Sequence, residues 1–304
     1  MALHILQPGA LSTIQDLGRK GYMKDGFPQS GAMDDYSLIR ANLLLGNDKN
    51  AAAVEMTITG IRAYFDAPCA FVAAGGDFGG KWNQTPILPN TLYQAAEGDE
   101  LSFSAAKSGC RCYLAVQGGF DVPLVMGSRS TTLKCKLGGL DGRKLKKGDV
   151  LPIGEVKNPT KGSSFLNPMP DGEIIVRAVP GPQDDFFTEE DLNLFFSQSY
   201  CVTAESDRMG MRLEGQPLQS KNGTDIVSDG IAPGSVQIPA SGQPIILMAD
   251  RQTTGGYAKI ATVVTSDLHL LAQAKPSDKV RFVRLNAREA REALKQYRAE
   301  LLIP

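Results

Sequence analysis

The sequence predicts a mainly β protein with a few helices, arranged as two β-rich lobes. Three observations carry that expectation. Short runs of β-branched and apolar residues recur at Ile61–Phe65, Ala70–Ala74, Tyr113–Val116, Ile174–Val179, Pro244–Met248, Ile260–Val264 and Val280–Val283. Gly, Pro, Asn or Asp separates them, so the 32 glycines and 18 prolines read as turn chemistry rather than linker composition. The third is the segment Glu155–Asp171, which is polar, carries Pro, Gly and Ser, and shows neither a helical nor a strand period. It sets an N-terminal lobe at 1–154, a linker at 155–171 and a C-terminal lobe with a terminal helix at 172–304.

Three helices stand out from this background. Asp34 precedes an apolar stripe that ends at Gly46, the pattern of an N-cap acid and a C-terminal glycine. Thr188 opens a second helix, with Glu189, Glu190 and Asp191 placed where the helix dipole favours acids. Asn286 and Glu289 form a capping box for the C-terminal helix, whose apolar stripe is read as Ala290, Leu294, Tyr297 and Leu301.

Charge and composition remove several function classes. With 32 Lys and Arg against 33 Asp and Glu, the formal charge is −1, and nothing argues electrostatically for nucleic acid. The dense basic run Arg143-Lys144-Leu145-Lys146-Lys147 reads as a solvated hairpin edge. The N-terminus has neither a basic region nor a sustained apolar region, and no apolar run approaches the roughly 20 residues that span a bilayer. A cytoplasmic, membrane-free protein is expected. The five cysteines show no paired metal-site spacing, and the two histidines, His4 and His269, lie far from them in sequence. Reduced thiols and no metal site are expected, and a Ser-His-Asp triad could only use His269.

Familiar motifs fail one by one. Gly75-Gly76-Asp77-Phe78-Gly79-Gly80-Lys81-Trp82 fits seven positions of a phosphate-binding loop, but Trp82 stands where the magnesium-binding hydroxyl belongs. Pro86 follows too soon for the helix that would hold the phosphates, so a hairpin turn is expected. There is no dinucleotide fingerprint, no His-Glu-x-x-His and no Gly-x-Ser-x-Gly.

Two dense polar, glycine-bearing segments remain. The first spans Ser12–Gly21 and Gly26–Asp34; the second spans Ser228–Pro239 and Asp250–Tyr257. Two readings stand open for them. Their glycines can let backbone N–H groups approach a ligand, or their Asp, Thr and Gln side chains satisfy their own turns.

These segments resemble the family of biotin-dependent carboxyltransferases and allophanate hydrolase subunit 2, which includes the C component of 5-oxoprolinase and KipA. The resemblance runs through Thr13–Gly21, Ser30–Asp34, Ala41-Asn42 with Gly46-Asn47, Leu114–Val116 with Gly118-Gly119, and Met126–Ser128 with Ser130-Thr131. It continues through Pro180–Gln183, Asp207–Gly210 with Arg212-Leu213, Gly234–Pro239 and Gln252–Tyr257. Met211, Ala258 and Ser277 depart from the family's usual residues, outside the dense loops.

The resemblance implies two cyclophilin-like lobes and membership of a hetero-complex. Its leading implication is a subunit of an ATP-dependent 5-oxoprolinase opening 5-oxo-L-proline to L-glutamate. A KipI or allophanate hydrolase subunit 1-like protein (the B component) and a LamB/YcsF-type protein (the A component) would be the partners, with ATP and Mg2+ used by the complex. A carboxyltransferase acting on urea or another amide, and a KipA-type antagonist of a KipI-like inhibitor, are the alternatives. The sequence has no Ala-Met-Lys-Met motif for biotin attachment. On this reading Asp16, Asp34 or Asp250 would act as base or magnesium ligand. Thr253, Thr254, Gln252 and Tyr257, with the N–H groups of Gly255 and Gly256, would donate to an oxyanion. Arg19 and Arg208 would clamp phosphate or carboxylate, and Ser30 and Gln237 complete the substrate-binding set.

Overall fold

The computed structural model describes residues 1–301 apart from Pro168 and Asn222. The chain divides into two units. Unit 1 comprises Met1–Gly21 and Ser30–Met169, and unit 2 comprises Tyr22–Gln29 and Pro170–Pro304.

Unit 1 begins with β1 (Ala2–Gln7), β2 (Leu11–Gln15) and helix α1 (Asp35–Leu44). It continues with β3 (Ala53–Thr57), β4 (Arg62–Phe65), β5 (Cys69–Gly75) and the short ribbon β6 (Lys81–Trp82) and β7 (Thr85–Pro86). β8 (Leu92–Ala95), β9 (Glu100–Ser102), β10 (Arg111–Val116) and β11 (Val150–Pro152) complete it. One sheet has the order β11-β1-β4-β9-β6-β7, the other β2-β3-β10-β5-β8.

The second sheet is buried on both faces, and strand alternation sorts its residues. Phe71 and Ala73 of β5, with Cys112, Leu114 and Val116 of β10, join Leu3, Ile5, Phe65 and Leu101 in one core. Ala70, Val72, Ala74, Tyr113 and Ala115 point the other way and pack with Leu38, Ala41 and Leu45 from α1 and its C-terminus. That is why β5 and β10 read as unbroken apolar runs.

Helix α1 starts where the sequence places it. The Asp34 carboxylate accepts from the Ser37 N–H at 2.8 Å and the Ser37 hydroxyl at 2.6 Å. The Asp34 N–H donates to the Tyr113 hydroxyl (2.8 Å), which donates onward to Glu55 Oε2 at 2.6 Å. The Met33 N–H reaches the same Glu55 oxygen at 3.0 Å. Burial, reinforced by the Glu55 and Asp34 carboxylates, pushes the Tyr113 hydroxyl well above its ordinary pKa, so it stays a donor.

Unit 2 carries β12 (Ile174–Pro180), α2 (Glu189–Ser197), β13 (Ser199–Val202), β14 (Gly210–Glu214), β15 (Asp225–Gly230), β16 (Ser235–Gln237) and β17 (Ile245–Leu247). β18 (Thr254–Tyr257), β19 (Lys259–Val263), α3 (Leu268–Ala272), β20 (Lys279–Arg284) and α4 (Ala287–Glu300) follow. Seven of these strands close into a barrel in the order β12-β19-β16-β17-β14-β13-β20, sealed by the parallel pairing of β12 with β20. α2 packs on β20 through Phe195, whose ring stacks on Phe282 with centroids 4.4 Å apart. β15 and β18 form a separate two-stranded ribbon.

The structure refines the sequence at three places. The capping box of α4 is present, but its buried face is Ala293, Tyr297 and Leu301, with Ala290 and Leu294 only half-buried. Spacings of four along this short helix select one narrow stripe rather than the wider one read from sequence. The basic run is not a hairpin strand: it forms a turn before edge strand β11, held by Arg143 bidentate to Asp149 at 2.7 and 2.9 Å. Gly75–Trp82 forms the turn from β5 into β6, with the Gly79 N–H on Asp77 Oδ1 at 2.7 Å.

Replacing Tyr113 with Phe removes the donor to Glu55 and the acceptor for the Asp34 N–H in one step. Chemical denaturation of the Tyr113→Phe variant is expected to show a loss of about 1–3 kcal/mol, the range for leaving buried polar groups unpaired. An unchanged midpoint would show that the network contributes nothing to stability.

Candidate functional site

The polar residues of the two dense segments fall into different kinds of surroundings. In unit 1 they knot three loops together. Asp16, 1% exposed, accepts through Oδ1 from the Gly18 N–H (2.8 Å) and the hydroxyls of Ser128 (2.6 Å) and Ser130 (2.5 Å). Its Oδ2 accepts from the Arg129 N–H at 2.6 Å. Arg19 is equally buried and donates to Thr132 Oγ1 and the Ser130 carbonyl, both at 2.5 Å. Ser30 donates to the Thr131 carbonyl at 2.9 Å from a backbone in the left-handed region. Gly31, at φ +97°, lies so close to Gly18 that a Cβ would come within 2.8 Å of the Gly18 nitrogen. Asp34 caps α1 as described. Every one of these side chains is thus engaged within unit 1.

In unit 2 the site residues gather at the start of β19. Lys259 is 2% exposed, although the sequence reading set it one residue outside the strand Ile260–Val264. Its ammonium lies 3.3 Å from Asp229 Oδ2 on ribbon strand β15. Gln237 pairs in register with Lys259 across β16 and β19, is itself buried, and reaches the Tyr257 carbonyl at 3.4 Å. Gln183 accepts from the Lys259 backbone N–H at 3.2 Å. The Pro180–Gln183 segment can lie this close because Gly181 passes the Lys259 carbonyl at a distance that admits no Cβ. The result is one buried ammonium with the side-chain amides of Gln183 and Gln237 on neighbouring chain positions.

The Gly230 N–H and the Lys259 ammonium, with Gln183 adding to them, hold the Asp229 carboxyl below the usual carboxylate range. Asp229 therefore stays charged at neutral pH and meets a cation that has almost no water of its own.

The other predicted residues of unit 2 divide further. Arg208 and Asp250 are brought together as a closed bidentate pair, Nε to Oδ2 at 2.9 Å and Nη2 to Oδ1 at 3.1 Å. Gln252 and Thr254 are exposed, and Tyr257 is 40% exposed at the end of the ribbon. Thr253, Gly255 and Gly256 are half-buried. The Thr253 carbonyl accepts from the Ile231 N–H at 3.1 Å, which holds the two strands of the ribbon together at one end. Gly255 approaches the Gln237 amide so closely that a Cβ would stand 2.6 Å from Nε2.

Sequence reasoning did not single out Lys259, Asp229, Gln183 or Arg251. The guanidinium of Arg251 is 2% exposed and bonds the Ile231 carbonyl at 3.2 Å, and burial pulls it down to about 10. The available signal was a cation flanked by apolar strand residues, in Ala258-Lys259-Ile260, and an arginine beside Asp250 in a loop otherwise rich in small residues. Arg251 also reaches Met23 Sδ at 3.4 Å, within unit 2.

Comparison with known proteins adds four findings. The family described as carboxyltransferase domain, subdomain A and B, matches residues 25–284. The C subunit of 5-oxoprolinase from Escherichia coli strain K12 is 39% identical over 291 residues, covering 96% of this chain and 94% of that protein. The protein of the same name from Haemophilus influenzae is 38% identical over 288 residues, 95% of this chain and 93% of its own. Among solved structures, the Kluyveromyces lactis urea carboxylase superposes with a TM-score of 0.92 at 30% identity. That match covers 99% of this chain but 29% of the larger enzyme.

The two polar groups should respond differently to substitution. Asp16→Ala strips four donors of their acceptor and is expected to destabilise unit 1 by at least about 3 kcal/mol, read by denaturant unfolding. Lys259→Met replaces a buried charge with an apolar chain of similar length, and the carboxylate it leaves behind, Asp229, is 55% exposed and so is hydrated rather than stranded. Its unfolding midpoint is expected to stay within about 1 kcal/mol of the parent or rise. A midpoint that collapses in Lys259→Met would make the lysine a structural residue.

Proposed function

Since the chain belongs to the carboxyltransferase domain family, subdomains A and B, we propose that it is the C-type subunit of a 5-oxoprolinase, opening 5-oxo-L-proline to L-glutamate within a hetero-complex. One observation carries this reading: relatives named as the C subunit of 5-oxoprolinase match this chain, and are matched by it, over more than nine-tenths of their lengths. The partners are a KipI or allophanate hydrolase subunit 1-like protein and a LamB/YcsF-type protein.

The substrate is a small unstrained lactam with one carboxylate. Binding it calls for a cation, and polarising its carbonyl calls for N–H or hydroxyl donors placed where negative charge develops. Lys259 supplies the cation, the amides of Gln183 and Gln237 orient the ring, and the N–H groups of the Gly255-Gly256 ribbon with Thr253 and Thr254 supply donors. A guanidinium already closed on Asp250 serves better as a brace for the Asp250–Thr253 turn than as a substrate clamp. Arg208 is therefore read as a positioning residue.

The one phosphate-loop-like stretch of this chain does not form a phosphate cradle. Among the described residues no group of three or more His, Cys, Asp or Glu side chains could hold a metal ion. The Gly75–Trp82 turn leads into a strand rather than a helix N-terminus, so it offers phosphates no cradle. We assign the use of ATP and Mg2+ to the assembled complex. Among the described residues no helix is long and apolar enough to cross a membrane.

A second reading has its own support in the fit to the urea carboxylase. There the same donors would polarise the ureido oxygen of carboxybiotin delivered by a separate carrier. One experiment decides between them. The co-expressed complex of all three proteins is expected to release L-glutamate from 5-oxo-L-proline and ATP, and to fall to background without this chain. Absence of glutamate with every partner present, together with urea-dependent ATP consumption when a biotinylated carrier is added, would replace the first reading by the second.

A further inference from the structure

The strongest feature outside the assignments above is the mismatch between the two halves of one ion pair. The Lys259 ammonium is buried, whereas the Asp229 side chain that faces it is 55% exposed. The two atoms are 3.3 Å apart but are not aligned as a hydrogen bond. Asp229 sits on a ribbon that, among the described residues, pairs with no strand of the barrel. Pairing within that ribbon is interrupted between Asp225 and Asp229, and Val227 in the gap is 93% exposed. What brings the ribbon down is its continuity with β19 through Ala258 and the missing Cβ at Gly255, which lets it approach Gln237.

We propose that Asp229 is a built-in stand-in for a ligand carboxylate: the β15–β18 ribbon rests closed on Lys259 through it, and a small carboxylate ligand takes the same ammonium and releases the ribbon. An exposed carboxylate keeps much of its hydration and holds a cation weakly. A ligand carboxylate seated among Lys259, Gln183 and Gln237 would form an aligned, water-excluded, charge-assisted bond. The exchange is of one anion for another at a fixed cation, so the buried ammonium is never left bare. Asp229 then competes only with ligands that carry an anion; an uncharged lactam, which has no carboxylate to place on the ammonium, is indifferent to it. The ligand class is a small monocarboxylate. Choosing 5-oxo-L-proline as its representative rests on the function proposed above, while the latch itself does not.

The test uses the full chain in its co-expressed complex. Asp229→Asn keeps the side chain's size and its acceptor for the Gly230 N–H but removes the charge. Without ligand, amide exchange in residues 225–230 and 254–257 is expected to quicken three- to tenfold in this variant, with exchange elsewhere unchanged. By calorimetry, 5-oxo-L-proline should bind Asp229→Asn three- to tenfold more tightly than the parent. The uncharged lactam 2-pyrrolidinone should bind both alike, and Lys259→Met should lose the preference for the acid. Unchanged ribbon exchange in Asp229→Asn, or acid binding that is unchanged or weaker, would overturn the latch. If neither protein binds 5-oxo-L-proline, the substrate reading fails and acetate decides the latch. Acetate should quicken ribbon exchange in the parent beyond chloride at equal ionic strength if the latch exists, and should match chloride if it does not.

Discussion

A carboxylate taken out of water must be repaid in hydrogen bonds, and Asp16 shows how much structure one such group can organise. Its two oxygens accept from two hydroxyls and two backbone N–H groups drawn from the 16–18 turn and the 128–130 loop. The Asp16 carbonyl then accepts from the Ala32 N–H at 2.8 Å, which adds the 30–32 turn. Each of these loops would otherwise have its own freedom. Because an unsatisfied buried charge is so costly, the three take up one arrangement or none. The ends of β2 and the approach to α1 inherit their positions from that choice.

The same constraint explains why residues of similar type play unlike parts. Asp16, Arg19 and Asp34 direct their hydrogen-bonding capacity at the chain around them, as Arg208 and Asp250 do at each other. Lys259 differs because the group its buried ammonium faces is a carboxylate that is 55% exposed. A polar residue's surroundings, more than its identity, separate scaffold from site, and those surroundings come from strand register: Gln237 opposite Lys259, and Gln183 beside it.

Much of the fold was legible in the sequence. The caps of α1, α2 and α4 are chemical signals local to a few residues, and Asp34, Thr188 and Asn286 each perform the hydrogen bonding that their positions suggest. The apolar runs around Phe71 and Leu114 were legible as strands because burial on two faces leaves no polar alternation. The candidate site was legible only in part. The Gln252–Tyr257 segment drew attention through its glycines, yet Lys259 two residues later did not, since a lysine after a turn ordinarily marks solvent. Its burial is decided by β15, some thirty residues earlier in the chain, and by Gln183, further away still. No local pattern carries that information. The engagement of Asp16 was hidden for the same reason: three of its four donors, on Ser128, Arg129 and Ser130, are more than a hundred residues distant.

Residues 22–29 belong with the C-terminal unit although they lie inside the N-terminal one in sequence. The chain therefore commits a short piece of its second unit before most of its first has been synthesised. In the folded unit that piece meets Arg251, whose guanidinium reaches Met23 Sδ from more than two hundred residues further along the chain. Neither unit is a contiguous cassette. A single cut cannot separate the two units intact, because any cut beyond residue 29 leaves residues 22–29 on the N-terminal fragment and any cut before it divides unit 1.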